Sequence, residues 1–297
     1  RAYYLYYYRS WGGWEAEAAR DVRELYVLKK LHNRYTWAGS IVHEALKDVL
    51  LDWRAGRDVD PAKVEARTHK LMQDDFRHSR SKAYWTTKYR KPFTGLAEHE
   101  YAEDVPNESW KQNFETVRSA LAWFFQSRWP TVARGLKPAQ WLEVDAGFDF
   151  AHFVMDGVKT FAIPDFAYVD AEGSVVVVDW KTGRSREGYD EQVLGYALYI
   201  AQRYRYPLEK VRASLVYLNE GLEHDVTVDP SAMDSFRQHF ARSVDGMRGL
   251  LKDPGTNTPK EPEAFPQTGN LDACARCVFR RPCGREPAVA QARSQVA

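Results

Sequence analysis

Cysteine is scarce in this chain of 297 residues: there are three, all between Cys274 and Cys283, too few and too clustered for a disulfide framework. A reducing, cytoplasmic setting is therefore expected. An excess of one charge is missing as well, with Lys+Arg 42 against Asp+Glu 41 and a net charge of +1. The field of the whole molecule thus announces neither nucleic acid nor membrane, and such a partner must be met by a local patch. Long apolar runs are absent too. Stretches such as Val175 to Val178 and Gly195 to Ala201 fall far short of the roughly 18 to 20 residues that a bilayer span needs, so no membrane partner is expected. No signal-peptide pattern opens the chain, which begins at Arg1 rather than Met, and no internal repeat is visible. What is present is 44% hydrophobic residues, ample for one large domain or two small ones.

The first fourteen residues, RAYYLYYYRSWGGW, are too rich in aromatic rings for a solvated terminus and are expected to pack. Residues 15–33 carry Leu25, Val27, Leu28 and Leu31 at helical spacing. A second helix is predicted from Ser40, as N-cap, to Gly56. Residues 60–130 read as mainly helical. From Trp141 the period changes towards two, predicting strands at 141–150, 160–169 and 174–181, with turns at Asp156-Gly157 and Asp170 to Gly173. A helix at 189–204, a strand at 211–218, another near Val226, a helix at 231–251 and a loop at 253–270 complete an α/β pattern: a mixed sheet with a crossover helix. The expected divisions are 1–56 (aromatic segment and helices), 57–135 (helical insertion), 136–252 (sheet core) and 253–297 (loop, cysteines and frayed tail).

Chemistry concentrates in FAIPDFAYVDAEGSVVVVDWKTG, residues 161–183. A turn over Asp170 to Ser174 pairs Val169 with Val175 and carries Asp165 opposite Asp179. Opposed residues of an antiparallel pair share a face with Cβ atoms about 4.5 to 5.5 Å apart, and the period of two adds Lys181 to that face. Two carboxylates this close repel unless a cation neutralises them, and a divalent metal is suited to that task. A slip of one residue would turn Asp179 to the other face. The plainer alternative leaves both aspartates at strand ends in solvent, with Lys181 as an ordinary ion-pair partner. The following helix presents Gln192 and Tyr196 at i, i+4, within reach of a phosphate or base.

Pro164-Asp165, Asp179-Trp180-Lys181 and Gln192-x-x-x-Tyr196, preceded by Gly39-Ser-Ile-Val-His43, resemble in order and spacing the PD-(D/E)XK nuclease superfamily. They are most similar to its RecB-like branch, which includes CRISPR-associated exonucleases and the nuclease domains of helicase–nuclease complexes. The resemblance implies a restriction-endonuclease-like fold, a mixed central sheet flanked by helices with a helical insertion. It also implies that His43, Asp165, Asp179 and the Trp180 carbonyl hold Mg2+ or Mn2+, with Lys181 beside the attacking water. Close to the start of its predicted helix, His43 would feel the positive end of the dipole and stay neutral, free to ligate. Glu143 on the preceding strand is a further candidate carboxylate.

Cys274-x-x-Cys277 and Cys283 suit a metal or cluster better than disulfides. In the RecB-like branch a four-cysteine iron–sulfur (4Fe-4S) cluster staples the termini, and RAYYLYYY resembles the stretch after its first cysteine. The native chain is accordingly expected to carry a cysteine immediately before Arg1; if three is the true number, zinc is the alternative. Residues 67–91 set Arg67, Lys70, Arg77, Arg80, Lys82, Lys88, Arg90 and Lys91 against Asp74 and Asp75, with Tyr84, Trp85 and Tyr89 interleaved. That mixture suits single-stranded nucleic acid, and Arg276, Arg280, Arg281 and Arg285 add a stretch that sequence shows free of acids. The expectation is a metal-dependent DNA nuclease, exonucleolytic or end-processing, in repair, recombination or defence, acting on single strands or ends with or without a helicase-type partner subunit. A catalytically silent DNA-binding module of a larger complex is the other reading, and the presence of His43, both aspartates and Lys181 argues against it.

Overall fold

The period-two region folds into seven strands, seen in a computed structural model that describes residues 1–87, 89–145, 151–185 and 188–294. They are β1 (Trp141–Glu143), β2 (His152–Met155), β3 (Val158–Phe161), β4 (Phe166–Val169), β5 (Val175–Lys181), β6 (Val211–Tyr217) and β7 (Leu222–Val226). Five form one mixed sheet in the order β1-β4-β5-β6-β7. β5 is buried from Val175 through Trp180, which fits a strand at the centre of a sheet with both faces covered. It runs antiparallel to β4 and parallel to β6, and the parallel pair is joined by the crossover helix Tyr189–Tyr204.

The β4–β5 register is the expected one, Val169 opposite Val175 through Phe166 opposite Val178. Asp170 sets it, accepting the backbone N–H groups of Glu172 (3.0 Å) and Ser174 (2.9 Å) on its side chain while Gly173 takes φ +78°. The predicted continuous strand 160–169 is corrected. Its first part, β3, pairs with β2 as a separate hairpin across Asp156-Gly157, both at positive φ. Pro164, which has no N–H to give a ladder, stands between β3 and β4. Positions 146–150 of the predicted first strand lie outside the described residues.

Ser40 does not cap a helix. Its hydroxyl donates to the Trp37 carbonyl at 2.9 Å inside a helix that spans Arg34–Arg54, so the helix starts six residues before the expected point. Gly56 follows its end at φ +72°, as the pattern required. The helix expected over 15–33 is confined to Arg20–Leu28, that expected over 231–251 spans Pro230–Arg248, and the mainly helical stretch holds Pro61–Arg80 and Asn107–Gln126. The loop expected over 253–270 begins with part of a short strand pair, β8 (Leu251–Asp253) and β9 (Thr258–Pro259).

The chain divides into two units. One contains Tyr35–Gln73 and Pro106–Phe240; the other contains Arg1–Arg34, Asp74–Val105 and the chain from Ala241 on. In the first, Val175 and Val177 join Ala213 and Leu215 under Val193, Ala197 and Ile200 of the crossover helix. On the opposite face of β5, the Trp180 ring meets Phe124 and Trp129 edge-on, centroids 5.5 and 5.0 Å apart. In the second unit, Leu5, Leu25, Leu28, Leu31, Tyr84 and Phe279 form the core. The N-terminal tyrosines do pack there: Tyr3, Tyr4 and Tyr8 surround Phe265 with centroids 5.1 to 6.2 Å away, although Tyr7 and Trp11 remain exposed.

Candidate active site

β5 ends with Asp179, Trp180 and Lys181, and the pleat sends the first and third towards the crossover helix while Trp180 locks into the aromatic layer behind. Asp165 precedes β4 by one residue. Its Oδ2 accepts the Trp180 backbone N–H at 2.8 Å, and its Oδ1 lies 2.8 Å from Nδ1 of His43. Asp179 is 2% exposed, with Oδ2 2.6 Å from the Lys181 ammonium. Lys181 also donates to Oε1 of Gln192 at 2.7 Å and sits 4.4 Å above the Tyr189 ring, while Gln192 Nε2 donates to the Tyr196 hydroxyl oxygen at 2.6 Å. His43, Asp165, Asp179, Lys181, Gln192 and Tyr196 thus form one polar chain. Tyr189 is the member sequence reading missed, and the signal was available: 189, 192 and 196 lie on one helical face.

Gly39 explains how the Arg34–Arg54 helix comes close enough. A Cβ there would sit 3.2 Å from the Thr182 hydroxyl, one residue past Lys181, a tight contact that glycine avoids where this turn of the helix approaches the end of β5, one turn before His43 meets Asp165. His43 lies mid-helix, which overturns the expectation that the helix dipole keeps it neutral, because that field fades within the first turn. Desolvation pulls its pKa down, but the charge and hydrogen bond of Asp165, with Asp179 adding, outweigh this and raise it to about 9. Burial, then the charge of Asp165, pushes Asp179 up to about 6 against the attraction of Lys181 and His43. Burial and the same two carboxylates raise Tyr196.

Among the described residues no three His, Cys, Asp or Glu side chains converge in a metal-holding arrangement. His43 and Asp165 are turned to each other. Mg2+ asks for less than a cage, because it is commonly held by one or two carboxylates, with water and substrate phosphate completing its shell. Asp179 Oδ2, buried and without a hydrogen bond of proper geometry, beside a second carboxylate, is a donor set whose chemistry fits such a hard cation.

The remaining candidates have other surroundings. Glu143 is buried, and Oε1 accepts the hydroxyls of Tyr199 and Tyr204, both at 2.7 Å, in a structural network. Lys82 donates to the Glu100 carbonyl at 2.8 Å, and Arg90 grips the buried Asp75 through two nitrogens at 2.8 and 2.6 Å. Lys88 lies outside the described residues. Tyr84 and Trp85 donate to Glu100, and Tyr89 stacks on His78 at 3.9 Å. The arginines near the cysteines are acid-free only in sequence: Arg280 pairs with Glu103, and Arg281 with Glu100 and Glu286. All three cysteines carry free thiols. Cys274 is buried; burial and the neighbouring Cys277 raise the Cys283 thiol, and the amino terminus and Arg1 act the other way. The thiols are thus neighbours, but as placed they make no metal-holding group, so the iron–sulfur expectation gains no support from this geometry.

A five-stranded mixed sheet flanked by helices, with a parallel pair at its centre and acidic side chains at the end of that pair, is the restriction-endonuclease-like arrangement. The family model of the PD-(D/E)XK nuclease superfamily matches residues 6–284, and the chain belongs to that superfamily, whose chemistry is nuclease-type hydrolysis. No curated protein matches the chain significantly. No helix among the described residues is long and apolar enough to cross a membrane.

Proposed function

We propose that the protein is a metal-dependent deoxyribonuclease of the RecB-like branch, cutting phosphodiester bonds at or near DNA ends in repair, recombination or defence, in the cytoplasm, alone or beside a helicase-type subunit. The observation that carries this reading is the convergence of Asp165, Asp179 and Lys181 at the end of β5 with His43 against Asp165. Asp165, Asp179 and the Trp180 carbonyl are the groups to hold Mg2+ or Mn2+, and His43 can join them only on giving up the proton that Asp165 stabilises, since an imidazolium cannot ligate. When bound, the ion lowers the pKa of a water and neutralises charge growing on the phosphate. Asp179 holds the Lys181 ammonium by an ion pair and Gln192 by a hydrogen bond, and the Tyr189 ring faces it. So fixed, Lys181 orients the attacking water and offsets the developing negative charge. Gln192 and Tyr196 position Lys181 and reach the DNA strand beside it. Lys82, Lys88 and Arg90 are secondary candidates for backbone contact. The thiols take no part in hydrolysis; their spacing still suits zinc or a cluster with a structural role, and no step depends on it.

The test is cleavage of end-labelled DNA with and without Mg2+ or Mn2+. Asp165→Ala should abolish metal-dependent cutting while the circular dichroism spectrum is retained, and Lys181→Ala should cut turnover about 10²-fold or more. Undiminished digestion by Asp165→Ala would end the assignment, and a loss below about threefold in Lys181→Ala would reduce that lysine to an ion-pair partner.

A further inference from the structure

Beside the polar chain, and within the same unit, lies a cavity of about 320 Å³ bounded by the β2–β3 hairpin, the crossover helix and the Pro230–Arg248 helix. Its walls are aromatic: Phe153, Phe161, Phe236, Phe240 and Tyr196. Gln192 and Tyr196 belong both to this lining and to the hydrogen-bonded run that holds Lys181, so the cavity borders the residues that position that lysine. Phe161 is 49% exposed, and the Lys159 ammonium lies 5.0 Å from its ring centroid. Glu191, in contact with His239, is the acidic member of the lining.

Gly195 lies in the wall of the cavity. It sits inside the Tyr189–Tyr204 helix, where glycine is a poor choice. Neither conformation nor crowding calls for it. Its φ is not positive, and a Cβ there would meet Phe236 at 3.5 Å and Phe153 at 4.0 Å, ordinary contact distances. What the missing side chain leaves is room for a methyl group between Phe236 and Phe153, one helical turn from Gln192, and any larger side chain must push into the cavity or against those rings.

We propose that this cavity takes one unpaired nucleobase of the strand being cut. The assignment rests on the nuclease reading above. A base offers a flat face to Phe161 and Phe236, and N–H groups on its edge to the Glu191 carboxylate; Lys159, whose ammonium lies over the Phe161 ring, is close enough to meet the adjoining phosphate. Bases in a duplex are stacked on each other and must be extruded to reach such a pocket, so paired DNA is disfavoured away from its ends.

The experiment uses the full chain and single-stranded oligonucleotides carrying 2-aminopurine or an abasic site at successive positions, with binding read in Ca2+ and cleavage in Mg2+. Emission of 2-aminopurine should be quenched at one position, next to the cut phosphate. An abasic site there should weaken binding roughly tenfold, whereas the same lesion inside a duplex should change little. Gly195→Leu, which fills the cavity, and Phe161→Ala, at an exposed position safe for folding, should each erase the difference between intact and abasic strands. Equal binding of intact and abasic strands by the wild type at every position overturns the proposal, as does a folded Gly195→Leu that keeps the full abasic penalty. Absence of cleavage of any DNA by the wild type would instead overturn the nuclease reading, and the quenching pattern would still decide the pocket.

Discussion

Glu100 and Asp179 are both buried carboxylates facing a cation, and the protein treats them in opposite ways. Around Glu100 every contact is a donor: the Tyr84 hydroxyl at 2.7 Å, the Trp85 indole at 2.9 Å and the Arg281 guanidinium at 2.8 Å. Burial pushes its pKa up, but those hydrogen bonds and the charge of Lys82 win and hold it below the usual carboxylate range. Asp179 is driven up to about 6 by burial and then by the charge of Asp165 across the hairpin, which together outweigh the attraction of Lys181 and His43. A buried acid with a full complement of donors ties a fold together; one set against its like is held ready for something else.

The sharpest way to break this comparison is to neutralise each acid without changing its shape. Asp179→Asn should lower metal-dependent cleavage by about 10³-fold or more while leaving the melting temperature unchanged or higher, since it removes a like-charge repulsion. Glu100→Gln should do the reverse to stability, costing about 2 kcal/mol because Arg281 loses its ionised partner. Thermal unfolding of the two variants side by side checks both, and a larger stability loss for Asp179→Asn than for Glu100→Gln would reverse the assignment. A smaller effect belongs to His99, in the same unit as Glu100. Desolvation, then the charges of Arg80 and Lys82, lowers its pKa from 6.5 to about 4, so the folded state prefers the neutral ring. That preference is fully expressed above pH 6.5 and is lost as pH falls towards about 4. Urea midpoints measured at pH 7 and pH 5 should therefore diverge less in His99→Gln than in the wild type; equal divergence would show that another group carries the slope.

The hairpin was readable because its determinants are local: the Asp170 side chain folds back over its own turn, which fixes the loop length, and the loop length fixes the register. The crossover helix was readable for the same reason. The start of the Arg34–Arg54 helix was not, because Ser40 has the composition of a cap but spends its hydroxyl on the carbonyl three residues back. Charge counting over 67–91 showed cations and rings without showing that Arg90 is committed to Asp75, fifteen residues away, or that Tyr84 and Trp85 point at Glu100. Partners brought together by tertiary structure leave no trace in a local window. Pro164, like the shared helical face of Tyr189, Gln192 and Tyr196, is an overlooked local sign, since it could have split the predicted strand 160–169.

The tryptophan between Asp179 and Lys181 gives β5 two unlike faces. On the front of the strand, Asp179 and Lys181 face the crossover helix; on the back, Trp180 is wedged between Phe124 and Trp129. A strand end cannot roll without moving all three side chains, so the rings behind the sheet fix the aim of the groups in front of it. Heritable change is then filtered differently on the two sides. Alterations in front are exposed at once as lost chemistry. Those behind, at Phe124 or Trp129, surface as an enzyme that cuts when cool and loses its aim as temperature rises.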